Sequence, residues 1–262
     1  MKENNNKEGI FNEILSDKSL KACWKNAIGT QSADEIFGNL TKDLPKNTAL
    51  DIKFNNQTKK ISVLTLENQK YKFNFTYSFT GAEAEFVLGG VDKSLQNKGV
   101  ARIAQRNIFK LLAENNVKQI NAFANNIGAY SWARMGFLPE KYHLDTVVKG
   151  IKKRLDNINY YLCDKFTPED IEHINFLEKS LSRKSSPKII WNIVDDKKPF
   201  FNYDGLTWGK AMLLPYEYLP QETGIDSNNY NISYSCNFDF SSKDSVNRAN
   251  NYFYPQGYIP VL

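Results

Sequence analysis

The chain has little cysteine, histidine and methionine: three Cys, two His and three Met in 262 residues. Cys23, Cys163 and Cys236 stand far apart, with no CxxC or CxH pairing, which argues against a disulfide scaffold and a zinc site. With only His143 and His173 available, neither a His-based metal centre nor a Ser-His-Asp triad is expected. No apolar run approaches the ~20 residues of a membrane span. The opening MKENNNKEGIF lacks the apolar core of a Sec-type signal, so a cytoplasmic protein is expected. What is present is a globular composition, 41% hydrophobic, 13% aromatic and 24% charged, which excludes a fibre or a wholly disordered chain. The length suits one large domain or two small ones.

The formal charge is +5. Residues after Val148 hold 14 Lys+Arg and 14 Asp+Glu, so the first part carries the whole excess. That is too mild for a dedicated nucleic-acid binder and suits a partner with a few phosphates. The one dense basic cluster, Lys149, Lys152, Lys153 and Arg154, reads as a solvated helix face. Contact with RNA or an acidic protein is its alternative reading.

Helical spacing covers 11–40 in two pieces, the second near 33–40. Three strand-like runs follow at 49–54, 60–66 and 70–79. In the last, Tyr71, Phe73, Phe75, Tyr77 and Phe79 fall on one face. Asn68 supports a hairpin turn before it, and 83–91 is a fourth strand. After the polar turn 92–98, Val100, Ile103, Ala104, Ile108, Leu111 and Leu112 repeat at i, i+3/i+4, the period of a helix. Residues 117–124 form a fifth strand and 126–135 a short helix that Gly136 stops. Beyond Pro139 the spacing predicts a helix over 142–162. Thr167-Pro168 starts another that runs through Leu181. The runs 189–194 and 209–214 are expected as strands, and the last forty residues show little periodicity.

The chemistry is concentrated in 83–137. The turn from the fourth strand enters a helix through Gln96-Asn97-Lys98-Gly99-Val100-Ala101-Arg102. A helix start leaves unpaired N–H groups pointing outward, and the helix dipole makes them an anion site. Gly99 and Ala101 let an anion approach the backbone, and Lys98 and Arg102 supply charge.

Gln96-x-x-Gly99-x-Ala101 after a strand ending Val91-Asp92 resembles motif A (Q/R-x-x-G-x-G/A) of the GNAT superfamily of N-acetyltransferases. Asn125, followed by Gly128-Ala129-Tyr130-Ser131-Trp132-Ala133-Arg134-Met135-Gly136-Phe137, resembles its motif B, in the right order and at the right separation. The run of four strands, helix, strand and helix is that family's core order. Trp191 and the segment Gly209-Lys210-Ala211-Met212-Leu213-Leu214 are also similar to C-terminal parts of phage and bacterial GNAT-like proteins.

The resemblance implies an α/β (α+β) fold with a mixed sheet splayed between strands four and five and helices on both faces. It implies an acyl-CoA-binding core at 49–138, preceded by a helical segment at 1–48. A C-terminal extension at 139–262 would be helical, then strand and loop. Acetyl-CoA, or another acyl-CoA, would be the co-substrate. Its pantetheine would pair with Leu88, Gly89, Gly90 and Val91, and its pyrophosphate would meet the amides of 96–101. Asn125 and Trp132 would add to the cofactor site. Acyl transfer to an amine needs a base for the ammonium proton and an acid for the leaving thiolate. Glu85 stands where histone-type members keep a catalytic glutamate, and Glu83 shares its face. For the acid, the usual tyrosine position holds Trp132, whose indole N–H is no proton donor near neutral pH. Tyr130 and Ser131 are nearby, and water is the alternative. The expected function is therefore N-acetyl transfer from acetyl-CoA to an amine on a small molecule or protein, with no metal. The alternatives are a CoA-binding or structural module without turnover, and a bacterial effector that acylates a host protein in the host cytoplasm.

Overall fold

The computed structural model describes residues 33–55, 60–69, 73–80, 82–92, 98–125, 127–182, 186–201, 203–223 and 232–255. The first expected helix, with Cys23 and Trp24, and the turn residues Gln96 and Asn97 lie outside them. The chain divides into two compact units, 1–121 with 250–262, and 122–249.

The first unit contains helix α1 (Ala33–Thr41), strands β1 (Ala49–Asn55), β2 (Lys60–Asn68), β3 (Phe73–Thr80) and β4 (Glu83–Val91), helix α2 (Val100–Glu114) and the start of β5 (Gln119–Ala124). Strands β1 to β4 form an antiparallel meander. Period-two alternation decides which face goes inward: Leu64 and Leu66 on β2 and Phe73, Phe75 and Tyr77 on β3 are buried together. Helix α2 buries the stripe Val100, Ala104, Ile108, Leu111 and Leu112. The Tyr77 phenol donates to the side chain of Gln105, and burial pushes its pKa well up, so it stays protonated. At the far side of the helix, Asn107 Nδ2 donates to the carbonyls of Leu40 at 3.0 Å and Lys42 at 2.8 Å, fixing the end of α1.

The Lys118 amide donates to the Ala82 carbonyl at 2.7 Å, and Asn121 Nδ2 to Glu83 Oε2 at 3.2 Å. The start of β5 thus lies beside the start of β4. The two run parallel, as a helical crossover requires, and the sheet is mixed. Strand β4 carries a bulge: Thr76 pairs with Leu88 and Tyr77 with Phe86, leaving Val87 as the extra residue. The Phe86 ring then occupies the space in which a side chain on Gly89 would stand. The glycine pair after the bulge therefore has a packing reason at Gly89. At Gly90 an added Cβ meets nothing within 4 Å.

In the second unit the strand neighbours are β5, β7 (Tyr234–Asp239) and β6 (Leu138–Pro139), with β6 antiparallel to β7. Its helices are α3 (Gly128–Arg134), α4 (Leu144–Leu162), α5 (Pro168–Ser182), α6 (Ile189–Val194) and α7 (Trp208–Leu213), and α8 (Lys243–Phe253) begins here. Helix α5 starts on a reciprocal cap: the Asp170 amide donates to Thr167 Oγ1 at 3.2 Å and the Thr167 amide to Asp170 Oδ2 at 3.1 Å.

Three expectations need correction here. The runs expected as strands at 189–194 and 209–214 are the short helices α6 and α7. Both are apolar nearly all round, and a short buried run carries no period that separates helix from strand. Thr207 signals the second: its side chain accepts from the Lys210 amide as an N-cap. Gly209 then lets α7 approach the end of α6, because an added Cβ would sit 2.5 Å from the Ile193 carbonyl. The last forty residues contain β7, where Tyr234, Cys236 and Phe238 alternate inward, and α8. The basic cluster on α4 loses Arg154, which is fully buried. Its Nη1 donates to the carbonyls of Ala211 at 3.1 Å and Leu214 at 2.6 Å, and burial lowers its pKa to about 10. The C-terminal end of α7, not a surface partner, holds that charge.

Candidate functional site

Strand register in the first unit sorts β1 to β4 into two faces. One is the buried face under α2. On the other, Glu67, Asn74 and Gly90 form one cross-strand row and Thr65, Thr76 and Leu88 the next. Ser78 and Glu85 form a third row on the same face. A hydrogen-bonded chain crosses these rows. Asn74 Nδ2 donates to Glu67 Oε2 at 3.5 Å, Thr76 Oγ1 to Asn74 Oδ1 at 2.9 Å, and the hydroxyls of Thr65 and Thr76 meet at 3.1 Å. Glu83 and Glu85 are both exposed, and the Glu85 carboxylate makes no hydrogen bond or ion pair with a described residue.

At the end of β4 an open groove of about 410 Å³ is lined by residues of β2, β3 and β4, among them Glu67, Phe73, Asn74, Gly89, Gly90 and Val91. Its floor is bare because Gly90 projects nothing into it. Sequence reading missed Glu67 and Asn74. Their signal was the polar half of the alternation in β2 and β3, which was read only for its apolar half.

Beyond Val91, which is half-buried, the chain reaches α2. Gly99 is the N-cap at φ 81°, a left-handed conformation that favours glycine, and among the described residues no side chain caps the helix. The first turn carries no acidic residue. Arg102 Nη2 lies 3.5 Å from where a Gly99 Cβ would be, so its guanidinium stands over the helix start. Lys98 and Arg102 are exposed, Ala101 is half-buried, and Val100 is turned into the core. Positive charge, amides that have no partner within the helix and a missing side chain converge at this helix start, and these residues fit an anion. Strand β4 and the start of α2 place Glu83, Glu85, Gly89, Gly90, Val91, Gly99 and Arg102 in one unit, with Glu83 and Glu85 at the start of β4 and Gly90 and Val91 at its end.

The second unit holds the remaining predicted residues. Asn125 is exposed, and its carbonyl accepts the Gly128 amide at 2.8 Å, turning the chain into α3. On either side of it, Phe123 and Ile127 are 55% and 39% exposed, an apolar pair that the motif reading did not include. Tyr130 and Ser131 are half-buried, and the Tyr130 hydroxyl accepts from Arg134 Nη1 at 3.4 Å. Trp132 is only 4% exposed, with its ring centroid 4.7 Å from that of Phe137. It lies in the core of this unit rather than as the wall of a cleft. Helix α3 turns it inward together with Ala129 and Ala133. Gly136 takes φ 98°, and an added Cβ there would lie 2.6 Å from the Ser245 carbonyl, so the glycine serves both turn and close packing.

Among the described residues no group of three or more His, Cys, Asp or Glu could hold a metal ion, and no helix is long and apolar enough to cross a membrane. Comparisons with protein-family models, with curated proteins and with solved structures find no match.

Proposed function

We propose that the chain is an acyl-CoA-dependent N-acyltransferase that moves an acetyl group from acetyl-CoA to an amine. The observation that carries this reading is the start of α2: a left-handed glycine cap, no acidic residue in the first turn, and the Arg102 guanidinium folded over it, in the helix that follows the bulged strand β4. A pyrophosphate would be met there by amide N–H groups and a guanidinium. The pantetheine arm would lie along β4 at 88–91, in a splay between β4 and β5, where parting strands leave backbone groups for its amides.

In the reaction, the amine nitrogen donates its lone pair to the thioester carbonyl carbon. The C–S bond breaks as the amide C–N bond forms, and the thiolate leaves with the electron pair. The ammonium proton goes to Glu85, the exposed carboxylate on β4, and the thiolate takes a proton from solvent. Solvent is the donor because Trp132, at the position of the family's tyrosine, is buried against Phe137.

Titration calorimetry with acetyl-CoA tests the reading. Binding is expected, and Arg102→Ala and Gly99→Glu should each weaken it in protein that melts normally. Unchanged affinity in both would place the phosphates elsewhere. Turnover is then read with labelled acetyl-CoA and a panel of amines and peptides. The burial of Trp132 also favours a second reading, a module that holds CoA without turnover. Tight acetyl-CoA binding with no transfer to any amine would select it.

A further inference from the structure

The outer edge of β1 is self-complementary. Among the described residues β1 is the last strand of the sheet, with β2 on one side and no strand on the other. Such an edge presents a row of N–H and C=O groups, which proteins guard by a short strand, a Pro, a bulge in the edge strand or Lys side chains. In the second unit β6 is two residues long and ends in Pro139. Strand β1 has seven residues, Ala49–Asn55, and no Pro. Its register against β2 shifts between Lys53 and Phe54, where Ser62 is the extra residue, so the bulge belongs to β2 and not to the edge. Its one Lys, Lys53, is balanced by Asp51 at 3.9 Å, and both side chains are exposed.

We infer that β1 is a homodimer interface: two copies of the chain pair their β1 strands antiparallel about a two-fold axis through Ile52. Such an axis stands normal to the sheet and keeps each face of one copy with the same face of the other. It must therefore pass through a residue and not between two. Centred on Ile52, it gives every residue of β1 a partner: Ala49 stands opposite Asn55, Leu50 opposite Phe54 and Asp51 opposite Lys53. Symmetry makes the last pair occur twice, so the dimer holds two opposite-charge pairs. The neighbouring registers fail on the same residues. An axis through Asp51 sets that carboxylate against its own copy, and an axis through Lys53 does the same with two ammoniums. Like charges directly opposite are destabilising. An axis further along leaves most of β1 without a partner. Strand length and charge thus select one register, and the occupant they select is a second copy of this chain. The ladder would pair the main-chain groups of β1 that β2 does not reach.

Sedimentation of the full chain over a concentration series tests this. Wild type should show a monomer–dimer equilibrium that weakens as salt rises. Asp51→Lys sets Lys opposite Lys twice in the dimer, and Lys53→Asp sets Asp opposite Asp twice. Each should raise the dimer Kd about tenfold or more, because two pairs change sign. Both variants should melt close to wild type, as surface substitutions do. The exchanged double variant, Asp51→Lys with Lys53→Asp, should restore the wild-type Kd. A mixture of the two single variants should form a heterodimer tighter than either homodimer. A monomer at every concentration overturns the inference. A dimer that the single variants leave unchanged, or that the exchange does not restore, overturns it too, because its interface then lies elsewhere or in another register. No readout involves acetyl-CoA, so the outcome is independent of the acyltransferase reading.

Discussion

The indole Nε1 of Trp191 donates to the carbonyl of Phe137 at 3.0 Å. This bond fixes α6 to the Gly-Phe end of the segment that resembles motif B. The Trp191 ring also lies under the Arg248 guanidinium, 5.0 Å from its centroid, and Arg248 closes two hydrogen bonds on Asp195 at 2.6 and 2.8 Å. Trp191→Phe keeps an aromatic ring and removes the N–H. It should cost about 1–3 kcal/mol, because a buried carbonyl loses a donor. Urea unfolding would show it as a lowered midpoint at constant slope. A midpoint equal to wild type would mean that water replaces the indole.

The glycine pair of β4 should divide into a structural and a tolerant member. At Gly89 an added methyl must displace the Phe86 ring, which packs edge-on against Tyr77 at 5.2 Å. Gly89→Ala should destabilise by roughly 1–3 kcal/mol, the usual range for overpacking. Gly90→Ala should melt within about 0.5 kcal/mol of wild type, as for a surface position. Equal losses at both positions would contradict the packing role given to Gly89.

The cap of α5 predicts a pH dependence. Burial by itself raises the pKa of the Asp170 carboxyl. The Thr167 hydroxyl and amide and the Lys198 ammonium outweigh it and hold the group below its ordinary value. A depressed carboxylate stabilises the fold fully above its unfolded pKa, and that contribution is lost as pH falls through the folded value. Asp170→Asn should therefore be less stable than wild type at neutral pH, by about 1 kcal/mol for a lost cap. The gap should close in acid. Melts of both proteins across the acid range check this, and a gap independent of pH would assign the loss to packing instead.

Strands and helices whose period spans several turns were legible in the sequence. Strand β4 runs over the expected residues 83–91, and α2 and α5 begin within a residue of where Gly99 and Thr167 place them. The short buried helices α6 and α7 were not legible, because Ile189, Ile190, Trp191, Ile193 and Val194 are all buried and leave no polar stripe to read. Arg154 was misread for a related reason. It follows Lys152 and Lys153 in sequence but falls on the inward arc of α4, beside Ile151 and Leu155. At the candidate site, the glycine cap could be found from spacing, whereas Glu85 was named only through the family resemblance. The groove at Glu67 and Asn74 could not, because it depends on which strands are neighbours and on the register that sets Gly90 opposite Asn74.

The final prediction concerns Trp132. Its burial against Phe137 and its contact with Gly128, where an added Cβ would sit 3.2 Å from the indole, make it a core residue of the second unit. Trp132→Ala should cost ~3–5 kcal/mol, as large aromatic truncations in cores do. Trp132→Tyr should also lower the melt, since the smaller ring leaves a gap and the phenol needs a partner in an apolar site. Under the proposed mechanism solvent protonates the thiolate, so neither change should alter turnover per folded molecule. Acetyl-CoA affinity of the folded fraction should likewise hold. Differential scanning calorimetry, with turnover normalised to folded protein, separates the two effects. A rise in turnover for Trp132→Tyr with an unchanged melt would mean that position 132 reaches the sulfur, and the core assignment would then fail. A lowered melt with wild-type turnover is the expected result, because a side chain closed off by Phe137 contributes to the fold and not to the proton transfer.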